Sequence, residues 1–258
     1  MTGKANLSTG TMRRVLVVGG TGFLGYRVVR ALLDEGADVT VLIRPDQEDK
    51  LGVLRNVVRL VHGDVWNPGS LRGRGRGQGV VIHLIGGAKP NAARGLTFRH
   101  LNFVSTRNVA QMAVNDGVPH MMFLSAAGPL HGAPGSYIES KREAERYLHK
   151  SGLNWTILYA PPLYAPSEEG VGLVLRLMSL FGRGALAADT AARAIARLAV
   201  SLDVHKNRLI RPLQLRQIGR LAERRLAERS AALQSGPIHS TALDEPPFGW
   251  LPPPPPRP

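Results

Sequence analysis

The stretch from residue 15 to residue 25 constrains the fold more than any other part of this chain. Four apolar residues, Val15–Val18, are followed by glycines at positions 19, 20, 22 and 25. An uninterrupted apolar run of this length is typical of a parallel strand that is buried on both faces. The glycines permit a tight turn and let the backbone approach a phosphate closely at the start of the next helix. The stretch therefore predicts the strand, turn and helix that bind the pyrophosphate of a dinucleotide.

The residues after the glycines provide the context that this motif needs. Leu24, Val28 and Leu32 recur at intervals of four, which predicts the buried face of a helix that ends near Gly36. Residues 37–43 then predict a second strand. The glycine spacing fits both G-x-G-x-x-G and G-x-x-G-x-x-G, and the sequence leaves both open.

The end of the second strand bears on the identity of the dinucleotide. Arg44 stands where an acidic residue would bind the ribose 2′-hydroxyl of NAD. A guanidinium group suits a 2′-phosphate, so the sequence favours NADP, with NAD as the second choice. Asp46 lies close enough in the chain to keep the choice open.

Strand-like and helix-like patterns alternate as far as residue 165. Further strands are predicted at 57–61, 80–85, 121–124 and 155–158, and helices at 98–116 and 136–150. The glycines and arginines of residues 70–79 predict a basic loop there instead of a helix. This alternation predicts an α/β fold with a doubly wound parallel sheet of the Rossmann type.

The pattern changes after Pro166, where a short, mainly helical C-terminal region is predicted. Its helices are expected at 171–181, 190–202 and 213–232. On the last of these, Leu215, Ile218, Ala222 and Leu226 share one face, and Arg216, Arg220 and Arg224 line the opposite, solvated side. The predicted organisation is a disordered leader (1–12), a dinucleotide-binding domain (13–165), a helical region (166–235) and a proline-rich tail (236–258).

Composition limits the partners and the compartment. The chain has 33 basic and 19 acidic residues, a net charge of +14, which indicates an anionic partner such as an acidic protein, an acidic lipid or a nucleic acid. The alternative explanation of this charge is that the proteins of the source organism are generally rich in arginine. The predicted fold does not depend on which explanation holds. The absence of cysteine excludes disulfides and thiolate metal sites, and no metal site is predicted. With no apolar run of about 18 residues, we expect a cytoplasmic protein, or one peripheral to a membrane complex.

Three side chains are candidates for catalysis. Ser125 follows the fifth predicted strand, at the sheet edge where ligands bind in such folds. Tyr137 and Lys141 lie one helical turn apart, so the ammonium is expected to lower the pKa of the phenol from its usual value of about 10. Ser125 could then hold a carbonyl oxygen while Tyr137 passes it a proton. The other interpretation is an ordinary helix face with a solvated lysine.

These residues together resemble the short-chain dehydrogenase/reductase superfamily, in the extended and atypical branch that includes nucleotide-sugar epimerases and NmrA-like proteins. The resemblance spans roughly residues 13–165 and is carried by Gly-Gly-Thr-Gly-Phe-Leu-Gly at 19–25, His-Gly-Asp-Val at 62–65, Val-Ile-His-Leu at 81–84, Asn102, Thr106, Asn108, Ser125, Tyr137 and Lys141. It implies that Asp64 and Val65 contact the adenine and that Gly86 lies near the adenine ribose. It also implies that Lys141 bonds to the nicotinamide ribose.

The resulting site prediction has two parts. The catalytic residues are Ser125, Tyr137 and Lys141. The cofactor-binding residues are Gly19, Thr21, Gly22, Phe23, Leu24, Gly25, Arg44, Asp64, Val65, Ile85, Gly86, Tyr137 and Lys141. Two departures from the family affect the substrate pocket: Tyr159-Ala160 replaces an Arg-Pro pair, and the C-terminal part lacks a clear pair of substrate-domain strands.

Two functions of different kinds are compatible with these features. The first is an NADP-dependent oxidoreductase, or an enzyme of the epimerase/dehydratase type, acting on an unknown small molecule. The second is a non-catalytic scaffold that holds NADPH, because the chain also resembles the nucleotide-binding accessory subunit of respiratory complex I. Nucleic-acid binding through the basic segments 72–76 and 206–229 is a weaker interpretation, since no known nucleic-acid motif supports it.

Overall fold

The computed structural model describes residues 13–87, 95–128, 134–165 and 184–235. The leader predicted at 1–12, the helix predicted at 171–181 and the tail predicted at 236–258 lie outside the described residues. The chain divides into two compact units, Met1–Glu223 and Arg224–Pro258.

Seven parallel strands form the main sheet. In chain order, all strands of the described residues, including β7 and β8 outside this sheet, are β1 (Arg14–Val18), β2 (Asp38–Ile43), β3 (Arg59–His62), β4 (Val80–His83), β5 (His120–Ala126), β6 (Asn154–Ala160), β7 (Leu163–Tyr164), β8 (Leu186–Ala187) and β9 (Arg208–Ile210). The sheet has the order β3-β2-β1-β4-β5-β6-β9, and β7 pairs with β8 in a separate parallel ribbon. This confirms the doubly wound parallel sheet. The ribbon and β9 were not predicted, because segments of two or three residues carry too little pattern.

Helices cover both faces of the sheet. They are α1 (Phe23–Asp34), α2 (Ser105–Asn115), α3 (Gly135–His149), α4 (Ala188–Ser201) and α5 (Pro212–Ser235). A π-helical turn, His100–Val104, precedes α2 within the single helix predicted at 98–116. Segments of 3₁₀ helix follow β2 and β3, at Pro45–Asn56, which is kinked at Gly52, and at Pro68–Leu71. Within the described ranges, no helix combines the length and the hydropathy needed to cross a bilayer.

The side chains of β1 alternate between two hydrophobic cores. Val15 and Val17 pack in the core that contains α1 and α4, whereas Leu16 and Val18 pack in the core that contains α2 and α3. All four are fully buried. The uninterrupted apolar run of the sequence is therefore the central strand of the sheet, with each face covered by a layer of helices.

The C-terminal helix α5 differs from its predicted pattern at one position. Leu215 and Ala222 are buried as expected. Arg216, however, is not part of a solvated stripe, because its Nη2 donates to the carbonyl oxygens of Gly184 and Ala185 at 3.0 and 3.2 Å. The guanidinium group thus binds two backbone carbonyls of a neighbouring segment, a tertiary contact that helical periodicity cannot reveal.

The glycine turn between β1 and α1 is set by close backbone packing. Gly19 has φ of 94° and accepts a hydrogen bond from the Gly22 amide at 3.1 Å. A Cβ atom on Gly25 would lie 1.9 Å from the Gly19 carbonyl oxygen, whereas one on Gly22 would lie 3.4 Å from it. Gly25 is therefore required by the packing of α1 against the end of β1, and Gly22 is not.

We expect Gly25→Ala and Gly22→Ala to separate these two requirements. Gly25→Ala forces a steric conflict between two backbone segments and should lower the free energy of unfolding by about 1–3 kcal/mol or more. Gly22→Ala should change it by less than about 1 kcal/mol, because the added methyl makes an ordinary contact. Thermal and urea denaturation of the nucleotide-free protein measure both effects. Equal stability of the two variants would contradict the packing argument.

Candidate functional site

A cavity of about 250 Å³ opens at the carboxyl ends of β1, β2 and β4. Eight predicted cofactor-binding residues line it: Gly19, Thr21, Gly22, Arg44, Asp64, Val65, Ile85 and Gly86. Six further lining residues were not predicted: Leu42, Ile43, Gln47, Gly63, Trp66 and Leu84. Most of the six directly adjoin a predicted residue in the chain, so the ends of the strands were the available signal.

The glycine turn forms one wall of the cavity beside the first turn of α1. The amides of this turn have no intrahelical partner, and Gly22 provides no side-chain cap. Free amides and the helix dipole make such a position suitable for a phosphate. The side chain of Phe23 is 46% exposed and that of Leu24 is buried in the core. These two residues, like Gly25, can contribute through their backbone amides.

Arg44 and its neighbours form the wall at the end of β2. The Arg44 guanidinium lies 3.5 Å from the Asp46 carboxylate and its Cζ lies 6.0 Å from the centre of the Trp66 ring. Asp46 also accepts a hydrogen bond of 2.6 Å from Gln47. The Gln47 hydrogen bond is the main cause that lowers the pKa of Asp46, and Arg44 acts in the same direction. Asp46 is the carboxylate that could have bound the ribose of NAD, and in this structure it is already bound by Arg44 and Gln47.

The loop after β3 forms the opposite wall. The Trp66 amide donates to the Asp64 carboxylate at 3.0 Å, and the Asn108 side chain donates to the Val65 carbonyl at 2.8 Å. The indole Nε1 of Trp66 is buried and has no hydrogen-bond partner within the described part of the chain. Since solvent does not reach this nitrogen, it does not face the cavity. The fit to a dinucleotide rests on the glycine turn, the free amides of the helix and Arg44, which surround the same cavity.

Gly86 connects this cavity to Lys141. A Cβ atom at position 86 would lie 2.7 Å from the Lys141 Nζ and 2.7 Å from the Asn102 Oδ1. The Asn102 side chain accepts from the Gly87 amide at 3.1 Å and donates to Ser140 at 3.0 Å, so it fastens this loop to α3. The π-helical turn carries Asn102, and such turns are frequent at functional sites. The sequence singled out Asn102 by resemblance without assigning it this role.

Lys141 is a buried cation. It is 5% exposed, and its Nζ donates to the Leu124 carbonyl at 2.9 Å and lies 5.1 Å from the centre of the Phe123 ring. Loss of hydration lowers the pKa of Lys141 to about 8, and the negative charge of Glu145 opposes this shift. A lysine in this state can change its charge within the pH range in which most enzymes work.

Tyr137 does not have the lowered pKa that its spacing from Lys141 predicted. The residue is 7% exposed, and its ring meets Phe98 edge-on with the ring centres 5.9 Å apart. Burial raises the pKa of Tyr137. The expectation was wrong because the Lys141 ammonium bonds to the backbone of β5, and the phenol responds to its apolar surroundings.

Ser125 is held by residues farther along α3. Its hydroxyl donates to the Glu145 carboxylate and lies 3.4 Å from the Arg142 guanidinium. Glu145 lies two turns beyond Tyr137 on the helix. Among the described residues, the structure thus brings Lys141 against Gly86 of the cavity wall, although neither Lys141 nor Tyr137 lines the cavity itself, and it engages Ser125 with Glu145 and not with Tyr137.

His83 is a further buried group that the sequence did not single out as a site. The ring is fully buried, and neither nitrogen has a hydrogen-bond partner among the described residues. Burial, with a smaller contribution from Lys141, lowers the pKa of His83 to about 3. His83 is therefore neutral at physiological pH and adds no charge beside Lys141.

Comparison with known proteins identifies the family. A family model described as NAD(P)H-binding matches residues 19–201. The chain belongs to this family. The match confirms the predicted pyridine dinucleotide and, with the similarities below, the resemblance to the short-chain dehydrogenase/reductase type.

Two curated relatives are similar over part of their length. A ceramide reductase of Caulobacter vibrioides is 30% identical over 194 residues, which is 70% of this chain and 60% of the relative. The photosystem II assembly factor Ycf39 of Synechocystis is 28% identical over 146 residues, which is 56% of this chain and 43% of the relative. The chain thus spans about half the length of these relatives.

Solved structures show the same fold. The dTDP-glucose 4,6-dehydratase DesIV of Streptomyces venezuelae, with NAD and TYD bound, aligns with a TM-score of 0.59 and 23% identity over 83% of this chain and 81% of that one. The UDP-glucose 4-epimerase of Thermus thermophilus, in complex with NAD, aligns with a TM-score of 0.58 and 20% identity over 83% of both chains. At these identities the similarity establishes the fold.

Replacing Lys141 by methionine should stabilise the nucleotide-free protein at pH 7. Between pH of about 8 and the ordinary lysine pKa of 10.5, the unfolded chain binds more protons than the folded one, so stability falls as the pH decreases through this window. The lost burial cost outweighs the lost hydrogen bond to Leu124, and the gain should be about 1–2 kcal/mol.

Thermal denaturation in a pH series measures this effect. The advantage of Lys141→Met should be full below pH 8 and should shrink as the pH rises towards 10.5. Lys150→Met, at the exposed end of α3, is the matched control and should show neither change. A Lys141→Met protein that is less stable than wild type at every pH would refute the assignment of a buried charge.

Proposed function

We propose that this chain is an NADP-dependent oxidoreductase of the short-chain dehydrogenase/reductase type that acts on a carbonyl substrate. The observation that carries the proposal is the position of Lys141. Its ammonium lies against Gly86, a residue of the cavity wall, and it stands one helical turn from Tyr137. In this proposal one helix supplies both a donor to the dinucleotide, Lys141, and a proton donor to the substrate, Tyr137.

The protonation states support proton transfer in the direction of reduction. A reduced pyridine dinucleotide in the cavity would supply hydride to the carbonyl carbon. The raised pKa of Tyr137 keeps the phenol protonated, which is the form that can donate to the carbonyl oxygen. In this proposal Ser125 contacts the same oxygen. Because a hydroxyl has one proton to donate, this role requires Ser125 to release Glu145 when the substrate binds.

The choice of NADP rests on Arg44. Its side chain is 38% exposed, it lines the cavity, and its planar fork is suited to a 2′-phosphate. The acidic residue nearest to it, Asp46, is paired with Arg44 itself and with Gln47. A free carboxylate at the end of β2, which would favour the 2′-hydroxyl of NAD, is thus missing among the residues of the described cavity wall.

A second candidate is a protein that holds NADPH without turnover, as an accessory or assembly subunit. The engagement of Ser125 with Glu145 favours it, because the three candidate catalytic groups are not joined in the nucleotide-free protein. The similarity to an assembly factor, Ycf39, and the net charge of +14 also support it. An acidic or membrane-associated complex is the partner that this candidate implies, and the cavity would serve it equally well.

Arg44→Ala should distinguish the two dinucleotides. A charge-assisted contact with the 2′-phosphate is worth about 1.5–3 kcal/mol, so the affinity for NADPH should fall by about 10- to 100-fold. The affinity for NADH should change by less than about threefold. Calorimetric titration with both nucleotides measures this, with Arg55→Ala as the control, because Arg55 pairs with Glu48 and Asp49. Equal losses for NADPH and NADH would argue against the NADP assignment.

Tyr137→Phe should separate the enzyme from the scaffold. If wild type oxidises NADPH with any member of a panel of aldehydes and ketones, the variant should lose about 10²- to 10⁴-fold in kcat and still bind NADPH. The expected thermal stability is that of wild type. Undiminished turnover would exclude Tyr137 as the proton donor. A wild type that binds NADPH tightly but turns over no carbonyl compound, and that elutes from its native source in a large assembly, would favour the scaffold.

A further inference from the structure

A cluster of four polar side chains joins α3 to the ends of β5 and β6. Glu145, which is 7% exposed, is at its centre. Its carboxylate accepts hydrogen bonds from the Ser125 hydroxyl and the Arg142 guanidinium on one oxygen and from the Tyr159 hydroxyl, at 3.0 Å, on the other. Arg142 also donates to the Ala126 carbonyl at 3.1 Å. Three donors converging on one buried carboxylate fit its ionised form, which can only accept.

Lys141 adjoins this cluster. It precedes Glu145 by four residues, so the two side chains lie on the same face of α3. Their head groups bind consecutive residues of β5, since Lys141 donates to the Leu124 carbonyl and Glu145 accepts from Ser125. Among the described residues, this end of the sheet therefore holds two cations, the buried Lys141 and the partly exposed Arg142, and one anion, Glu145.

We propose that Glu145 is a positioning residue that keeps the Lys141 side chain, which lies against Gly86 of the cavity wall, in its charged form. The proposal deepens the proposed function, on which it rests for the role of Lys141 toward the ligand. Glu145 itself contacts neither ligand nor substrate. It acts by compensating the charge of a lysine that the fold has removed from water.

The surroundings of Lys141 leave this task to Glu145. The titratable groups to consider are Glu145 and His83, whose charges interact with that of the lysine, Tyr137 on the same helix, and Arg142 and Tyr159, which bind Glu145. His83, with a pKa of about 3, is neutral, and burial raises the pKa of both tyrosines, which keeps them neutral as well. Arg142 carries the same charge as the lysine. In the described part of the chain, Glu145 is thus the group whose charge favours the ammonium form of Lys141.

Glu145→Gln tests the charge while keeping the size of the side chain. Its remaining oxygen can still accept from Ser125 or Tyr159. The protonation of Lys141 is followed in nucleotide-free protein by carbon NMR of labelled lysines, with the signal assigned through Lys141→Met. In wild type the midpoint should lie at a pH of about 8. In Glu145→Gln we expect it at least about one pH unit lower, a tenfold loss in the protonation constant.

Glu143→Gln is the matched control. Glu143 lies on the same helix, two residues earlier, and its carboxylate is paired with Arg99 at 2.7 Å on the outer surface. This variant should leave the Lys141 midpoint unchanged. A folded Glu145→Gln protein with an unchanged midpoint would overturn the proposal, because a merely structural role leaves the lysine charge unaffected.

A double variant covers the case in which Glu145→Gln fails to fold. If the failure to fold is caused by the uncompensated lysine, the double variant Lys141→Met/Glu145→Gln should fold. Its Tm should be only slightly lower than that of Lys141→Met. Failure of the double variant to fold would show that the contacts of Glu145 with Arg142 and the two hydroxyl groups are essential without Lys141, and would overturn the proposal.

Titration with NADPH over the same pH series separates this proposal from the proposed function. The affinity of Glu145→Gln should decline at lower pH than that of wild type, in step with the lysine midpoint. A shifted midpoint in a protein whose wild type binds no NADPH would contradict the proposed function and support the compensation of Lys141 by Glu145.

Discussion

The contact between Gly25 and the carbonyl oxygen of Gly19 is the constraint on which the site depends. Because there is no room for a side chain between them, α1 approaches β1 as closely as two backbones can. The first amides of the helix are consequently held at the end of the central strand. Arg44 after β2 and Gly86 after β4 then surround the same point, since these strands flank β1 in the sheet. The residues that line the cavity are therefore determined by the order of the strands on either side of the glycine turn after β1.

A positive charge lies at each end of the site. Arg44 provides an accessible guanidinium at one end, and Lys141 provides a buried ammonium behind Gly86 at the other. The buried charge weakens the nucleotide-free fold, since loss of hydration disfavours it. A dinucleotide that contacts Lys141 would recover part of this cost and stabilise the folded state by mass action. Under the proposed function, binding and stability would therefore be linked at this residue.

The parts of the fold that the sequence revealed are those determined by local chemistry. Particular residue types within a few positions are required for the apolar run of β1, for the glycine turn and for the apolar stripe of α1. The order of these elements was therefore predictable from the sequence. The glycine-rich residues after Leu71 form turns, as their low helix propensity indicates. The short strand β9 was not legible, because its place in the sheet comes from pairing with β6.

The site was predictable in its cofactor part and less so in its polar interior. Strand ends located Arg44, Asp64 and Gly86 at the cavity. The spacing of one helical turn between Tyr137 and Lys141 did not indicate the partner of the ammonium. In the structure the ammonium binds the carbonyl of Leu124, which belongs to another element. Likewise, the partner of Ser125 is Glu145, a residue 20 positions later that no local pattern connects to it. The pKa values of these groups are determined by contacts between elements, and the spacing of residues along the chain does not predict those contacts.

The position of the Trp66 indole in the cavity wall has a practical consequence. Trp155 is stacked on His149 with ring centres 4.4 Å apart and lies away from the cavity wall, whereas Trp66 is part of that wall. The protein thus carries an intrinsic fluorophore at its own ligand site. Since reduced nicotinamide absorbs where indole emits, energy transfer from Trp66 would report the arrival of the nucleotide optically, without any label.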